Sequence, residues 1–189
     1  MDEINLEDLI SAKIRRIDNV IDFLRYLLKA QSEEVPIKRI KSEFFNAEIR
    51  VYPIGKNLVK AVIRIEPTVN VSTDLISLLY LSELGVQDEE MRFKMAAEGS
   101  YKKMSVGNVI HLSAVINKDL LKSELKRILL KIKRAFIALN NEELRARIIE
   151  EKKKLDDMLT APEKNKREIL ISLMRLNELL LYEAPVTEL

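Results

Sequence analysis

Between Ala47 and Ile65 the apolar residues fall on every second position, a period that only an extended strand can use to keep one face dry. Ala47, Ile49 and Val51 alternate with Glu48, Arg50 and Tyr52; after Gly55-Lys56-Asn57, Ala61, Ile63 and Ile65 alternate with Lys60, Val62 and Arg64. Two such runs around a short Gly-containing turn predict an antiparallel hairpin. The alternation returns at Met91, Phe93, Met95 and Ala97 against Arg92, Lys94, Ala96 and Glu98. A fourth run sets Ile110, Leu112, Ala114 and Ile116 against Val109, His111, Ser113 and Val115, completing a second predicted hairpin. Between the two pairs, Ser72 or Thr73 can cap a helix through Leu75, Ile76, Leu78, Leu79 and Leu81 that Gly85 ends. The expected fold class is α+β: a four-stranded antiparallel sheet, made of two hairpins, packed on helices.

Elsewhere the period is 3.6. Leu6, Leu9, Ile10, Ile14, Ile17, Ile21, Leu24 and Leu28 form one stripe of an amphipathic helix, which the stretch from Gln31 to Pro36 breaks. Ile37 to Phe45 reads as a short helix or remains undecided. Asn117 can cap a long helix with Leu121, Leu125, Ile128, Leu129, Ile132, Phe136 and Leu139 on one face. After Asn140-Asn141, Leu144, Ile148, Leu155 and Met158 follow seven-residue spacing, and Thr160-Ala161-Pro162-Glu163 has the spacing of a capping box before a last helix reaching about Tyr182. This divides the chain into an α+β nucleic-acid-binding domain over 1–140 and a helical oligomerisation arm over 141–189. The arm's seam is Leu155, Ile169, Leu173, Leu176 and Leu180, widened by Leu170, Met174 and Leu181; a stripe so broad favours a four-helix bundle between two subunits, hence a homodimer or homotetramer. Truncation near Asn140 is then expected to leave a folded monomer.

Composition narrows the chemistry. Cysteine is absent and His111 is the single histidine, so thiolate metal sites, disulfides and cysteine nucleophiles are excluded, and a lone imidazole without an orienting partner reads as a surface residue. The four glycines, at 55, 85, 99 and 107, make no phosphate-cradling motif. Asp88-Glu89-Glu90 and Asp156-Asp157 read as solvated charge. No enzyme, metal or cofactor is expected. Charges interrupt every apolar run before the roughly 18 residues a membrane span needs, and Met1 to Leu9 lacks the basic and apolar segments of a signal peptide; a cytoplasmic protein with no membrane partner is expected. The abundance of Lys, Glu, Arg, Ile and Leu, with 33% of residues charged, resembles a thermophile's composition.

The polar phase of the alternating runs is cationic. Arg50, Lys60, Arg64, Arg92 and Lys94 would share one sheet face with Tyr52, opposed by Glu48 and Glu98, while Tyr101, Lys102 and Lys103 stand in an adjoining loop. A single strand of nucleic acid needs cations for its phosphates and flat or apolar side chains for its bases, and both are present. The long helix after Asn117 adds Lys118, Lys122, Lys126, Arg127, Lys131, Lys133 and Arg134. The same charges would also serve as edge protection and solubility devices, or meet an acidic partner protein. Single-stranded DNA or RNA is the expected partner.

The strand pair 47–65, the crossing helix from Ser72 to Leu84, the strand pair 91–116, the basic helix after Asn117 and the Leu-rich tail together resemble the ThermoDBP-type single-stranded DNA-binding proteins of hyperthermophilic archaea. The resemblance lies in architecture and composition and carries no short diagnostic motif. It implies a cleft lined by basic and apolar residues that binds DNA without sequence preference, in a replication or repair setting, and C-terminal helices that join subunits. The same order of elements also looks like type III secretion chaperones, which bind extended peptides; those are usually acidic and lack a long C-terminal hairpin. A structural assembly subunit is the third alternative.

Overall fold

The computed structural model describes residues 37–184 apart from Gly85, so the helix expected over Leu6 to Leu28 lies outside the described residues. The first hairpin forms as its alternation requires: β2 (Phe45–Pro53) pairs antiparallel with β3 (Leu58–Pro67), setting Ala47 opposite Ile65, Ile49 opposite Ile63 and Val51 opposite Ala61. Ile49, Ile63 and Ile65 are buried, and the intervening residues face outward. Ahead of this hairpin, residues 37–45 are not a helix. Ile37–Lys41 is a strand, β1, paired with β2, and Ser42 makes the turn. Its hydroxyl accepts from the backbone N–H groups of Phe44 (3.2 Å) and Phe45 (3.3 Å), so the side chain supplies the turn's local hydrogen bonds and leaves the ladder to satisfy the rest.

The second hairpin is real, but its first strand is not the expected one. Residues 89–98 form a helix, α2 (Glu89–Glu98), and the strand paired with the fourth run is only β4 (Ser105–Val106). It joins β5 (Val109–Asn117) through a turn at Gly107, whose φ of +63° favours glycine. Local chemistry decides for the helix: the Asp88 carboxylate accepts from the N–H groups of Glu90 (2.8 Å) and Met91 (3.4 Å), two glutamates occupy the first turn, and Gly99 ends it at φ +69°. Phe93 and Ala96 are its buried positions, three apart, whereas Met91 stays 47% exposed. The sheet therefore has five antiparallel strands in the order β1-β2-β3-β5-β4.

Between β3 and α2 the chain forms α1 (Thr73–Leu79), continued by a π-helical turn over Tyr80–Leu84; Ser72 occupies the cap position without a side-chain cap bond. After β5, the Asn117 side chain accepts from Asp119 N–H (3.0 Å) and opens a 3-10 turn leading into α3 (Leu121–Leu139). Phe136 of α3 lies 5.1 Å from the Phe45 ring on the sheet, fixing the helix layer to the apolar face. Asn140 bonds back to the Phe136 carbonyl (2.8 Å) and Asn141 caps α4 (Glu142–Met158) by accepting from Leu144 N–H (3.1 Å), so the Asn pair separates two helices.

The last helix, α5 (Lys166–Leu181), folds back on α3 and α4. Its seam is turned inward. Leu155, Ile169, Leu173, Leu176 and Leu180 are all at most 3% exposed and belong to the same apolar cluster as Phe45, Ile63 and Phe136. They are covered by this chain's own sheet-and-helix core, so they do not form an oligomer seam; a single core runs across position 140. The expected capping box does not form either: Thr160 donates to the Asp157 carbonyl (2.7 Å), Pro162–Asn165 is a 3-10 turn, and Asn165 bonds the carbonyls of Met158 and Ala161. A buried bond from Ser172 to Glu151 (2.9 Å) pins α5 to α4. Among the described residues no helix is long and apolar enough to cross a membrane.

Candidate nucleic-acid interface

Strand register fixes which side chains share the outer sheet face, the one turned away from Phe136. Arg39, Glu48, Arg64 and His111 are aligned across four strands; next come Arg50, Val62 and Ser113, then Tyr52, Lys60 and Val115. Lys41, Asn46 and Glu66 stand on the other side of the Arg64 row, and Leu58 opposite Asn117 closes the opposite end.

The two ends of this face differ in charge. At one end the cations are held by acids: Arg39 to Glu48 at 3.4 Å, Arg64 to Glu66 at 3.2 Å and to Glu48 at 4.0 Å. At the other end, among the described residues, Arg50 and Lys60 make no ion pair. Register places Lys60 directly across from Tyr52, and Arg50 two residues before it on the same side of β2. Apolar side chains are left in water along the same face, Val115 (62% exposed) across from Lys60 and Leu58 at its end, with exposed Ile54 in the adjoining turn and exposed Leu120 at the entry to α3. The backbone N–H of Lys118 donates to the Asn57 carbonyl (2.8 Å), tying the start of α3 to the β2–β3 turn and bringing exposed Lys118 beside exposed Lys56. Unpaired cations, a ring and an apolar floor thus meet at one corner of the sheet.

The predicted site residues separate into three groups. Arg50, Tyr52, Lys60 and Arg64 lie on the outer face together, as the alternation of the first hairpin required. Arg92 and Lys94 do not: both stand on α2, where the Arg92 guanidinium donates to the carbonyls of Val86 (3.4 Å) and Gln87 (3.1 Å) as a structural brace and Lys94 faces solvent. Glu98 leaves the sheet with them. Tyr101 cannot stack on a base, because it is fully buried in the 3-10 turn Ser100–Met104. Its neighbours Lys102 and Lys103 are exposed there. Burial, together with the nearby negative charges of Asp156 and Asp74, pushes the Tyr101 hydroxyl up to about 12, and the Lys102 and Lys152 ammonium groups each lie 5.9 Å from its ring. Tyr80 is raised as well, by burial, while its hydroxyl donates to the Ser113 carbonyl at 2.9 Å.

Sequence reading missed Arg39 and Lys41, because the strand that carries them has no apolar alternation long enough to stand out. It also missed the apolar corner. Val115 stood in the outward phase of its run, but nothing in a period-two pattern says that the β2–β3 turn, Leu58 and the entry to α3 converge on it.

The long basic helix is partly neutralised: Lys131 pairs with Glu83 at 2.8 Å, and Arg127 with Glu124 at 3.0 Å and the Glu83 carbonyl at 3.0 Å. Only its first turns carry exposed lysines, Lys122 and Lys126. No protein-family model, curated protein or solved structure gives a significant match to this chain, so its site is read from its own residues.

Proposed function

We propose that this protein binds single-stranded nucleic acid, largely without regard to sequence, at the corner of its outer sheet face formed by Arg50, Tyr52, Lys60, Val62 and Val115. The observation that carries this reading is the cross-strand pairing of Tyr52 with Lys60 beside Arg50, two cations without an acidic partner among the described residues. A ring with ammonium and guanidinium groups at its margin offers a base a stacking surface and its flanking phosphates a counter-charge. Val62, Val115 and Leu58 extend the platform at no cost in sequence preference, since every base has an apolar face. Arg64 is a weaker contributor in this reading, because Glu48 and Glu66 already neutralise it.

Fluorescence anisotropy of a labelled oligothymidylate tests the proposal. Affinity falls as salt rises, with Arg50 and Lys60 together accounting for about 1.4 of the log–log slope. A flat salt response, or tighter binding to a duplex of the same length, overturns it. Tighter binding to an acidic peptide than to the oligonucleotide would move the apolar corner to the alternative of a protein partner.

A further inference from the structure

The side of α5 that faces away from the core carries a self-complementary pattern. Arg167, Glu168, Ile171, Met174, Arg175 and Glu178 are all exposed, Met174 at 61%, and at 100° per residue they share one face of the helix. Among the described residues none of the four charges makes an ion pair. Arg167 lies four residues before Ile171 and Glu178 four residues after Met174, so these four positions read the same, with charge reversed, from either end.

We infer that this face pairs with a second copy of the chain, α5 against α5, antiparallel about a two-fold axis between Ile171 and Met174. In such a pair the axis keeps each edge of the helix next to the same edge of its partner. Arg167 and Glu178, on one edge with Met174, then meet Glu178 and Arg167 of the other copy. Glu168 and Arg175, on the opposite edge, come to within about 3 Å of level with Arg175 and Glu168 of the other copy, an offset that their long side chains span. Ile171 and Met174 from both copies fill the middle.

The surroundings fit this occupant. A cleft of about 350 Å³ between α2 and α5 opens beside Met174 and Glu178 and is lined by Glu83, Glu89 and Arg92. Lys131 holds Glu83, and Arg92 is turned to backbone carbonyls, so Glu89 and Glu178 give the cleft mouth a negative charge that an incoming arginine complements. The inference is independent of nucleic-acid binding, because it concerns a different face and is read without ligand.

Sedimentation velocity on the full chain, free of nucleic acid, tests it. The protein associates to a dimer as concentration rises, and the association weakens with salt. Arg167→Glu or Glu178→Arg alone weakens it by ~10-fold or more, since each single reversal sets two like-charge contacts across the axis. The double variant R167E/E178R restores it. Both positions are exposed, and circular dichroism confirms that each variant is folded; Met174→Lys, which puts a charge in the centre, is the second probe and also weakens the dimer. A chain that stays monomeric throughout, single reversals without effect, or a double variant as weak as the singles overturns the pairing.

Discussion

Tyr52 and Tyr101 illustrate how little a residue type says before its neighbours are known. Both are aromatic and both stand near cations, yet one lies on the wet face of the sheet and the other is fully buried. For Tyr52, replacement by Ala is expected to cost about 1–3 kcal/mol of single-strand binding while leaving the salt slope unchanged, because stacking is lost and no phosphate contact is. Removing Arg50 and Lys60 should flatten the slope, and removing Arg39 and Arg64 should change it less, since their charge is already compensated by Glu48 and Glu66. Anisotropy titrations on the three variants check this order; equal slopes in both double mutants would refute it. Tyr101 belongs to stability. Its folded-state value of about 12 lies above the ordinary 10.0, so the neutral hydroxyl favours folding fully below pH 10 and that contribution disappears as pH rises towards 12. Its hydroxyl has no hydrogen-bond partner among the described atoms, so Tyr101→Phe should fold normally and lose part of the alkaline sensitivity, with Tyr80 responsible for a remainder. Thermal melts between pH 9 and 12 read the difference.

At the scale of elements, the strands of the first hairpin were legible because alternation, turn glycine and register all agree over residues 45–67. The run from Met91 to Ala97 failed because four apolar residues at every second position also fit a short helix, here one whose buried positions are Phe93 and Ala96 and whose Met91 stays in water. The deciding signals were end signals: Asp88 ahead of two glutamates, and Gly99 behind. They were present in the sequence and outweigh a two-residue period of only four repeats. The consequence for the site is direct, since Arg92 and Lys94 leave the sheet with their element. Asp88→Ala should therefore cost about 1 kcal/mol of stability by removing the cap, measured by chemical denaturation, and leave oligonucleotide affinity unchanged because α2 is not part of the proposed interface. A binding defect matching the loss of Arg50 would return α2 to the site. β1 was illegible for the opposite reason: five residues, three of them basic, offer no apolar period, and pairing with β2 supplies what its own sequence does not.

For the whole molecule, the decisive fact is where the arm's leucines point. Sequence spacing identified a broad apolar stripe on the last helices, and the stripe is there, but spacing alone does not say whether the surface that covers it belongs to the same chain or to another. In this fold α5 lies against both α3 and α4, and one apolar cluster extends from Phe45 on the sheet to Leu181. Removing residues after 140 would delete the buried side chains of Leu144, Ile148, Leu155, Ile169, Leu173, Leu176, Leu180 and Leu181 and strip α3 of the helix that packs on it. At roughly 2 kcal/mol for each buried side chain, the loss is of the same order as the entire stability of an ordinary domain. The truncated chain is therefore expected to lose its cooperative unfolding transition and to expose apolar surface, instead of yielding the folded monomer that a division into domain and arm would give. Calorimetry and binding of a hydrophobic dye to the 1–140 fragment decide between them: a sharp, reversible transition close to that of the full chain would show that the sheet and α3 stand alone.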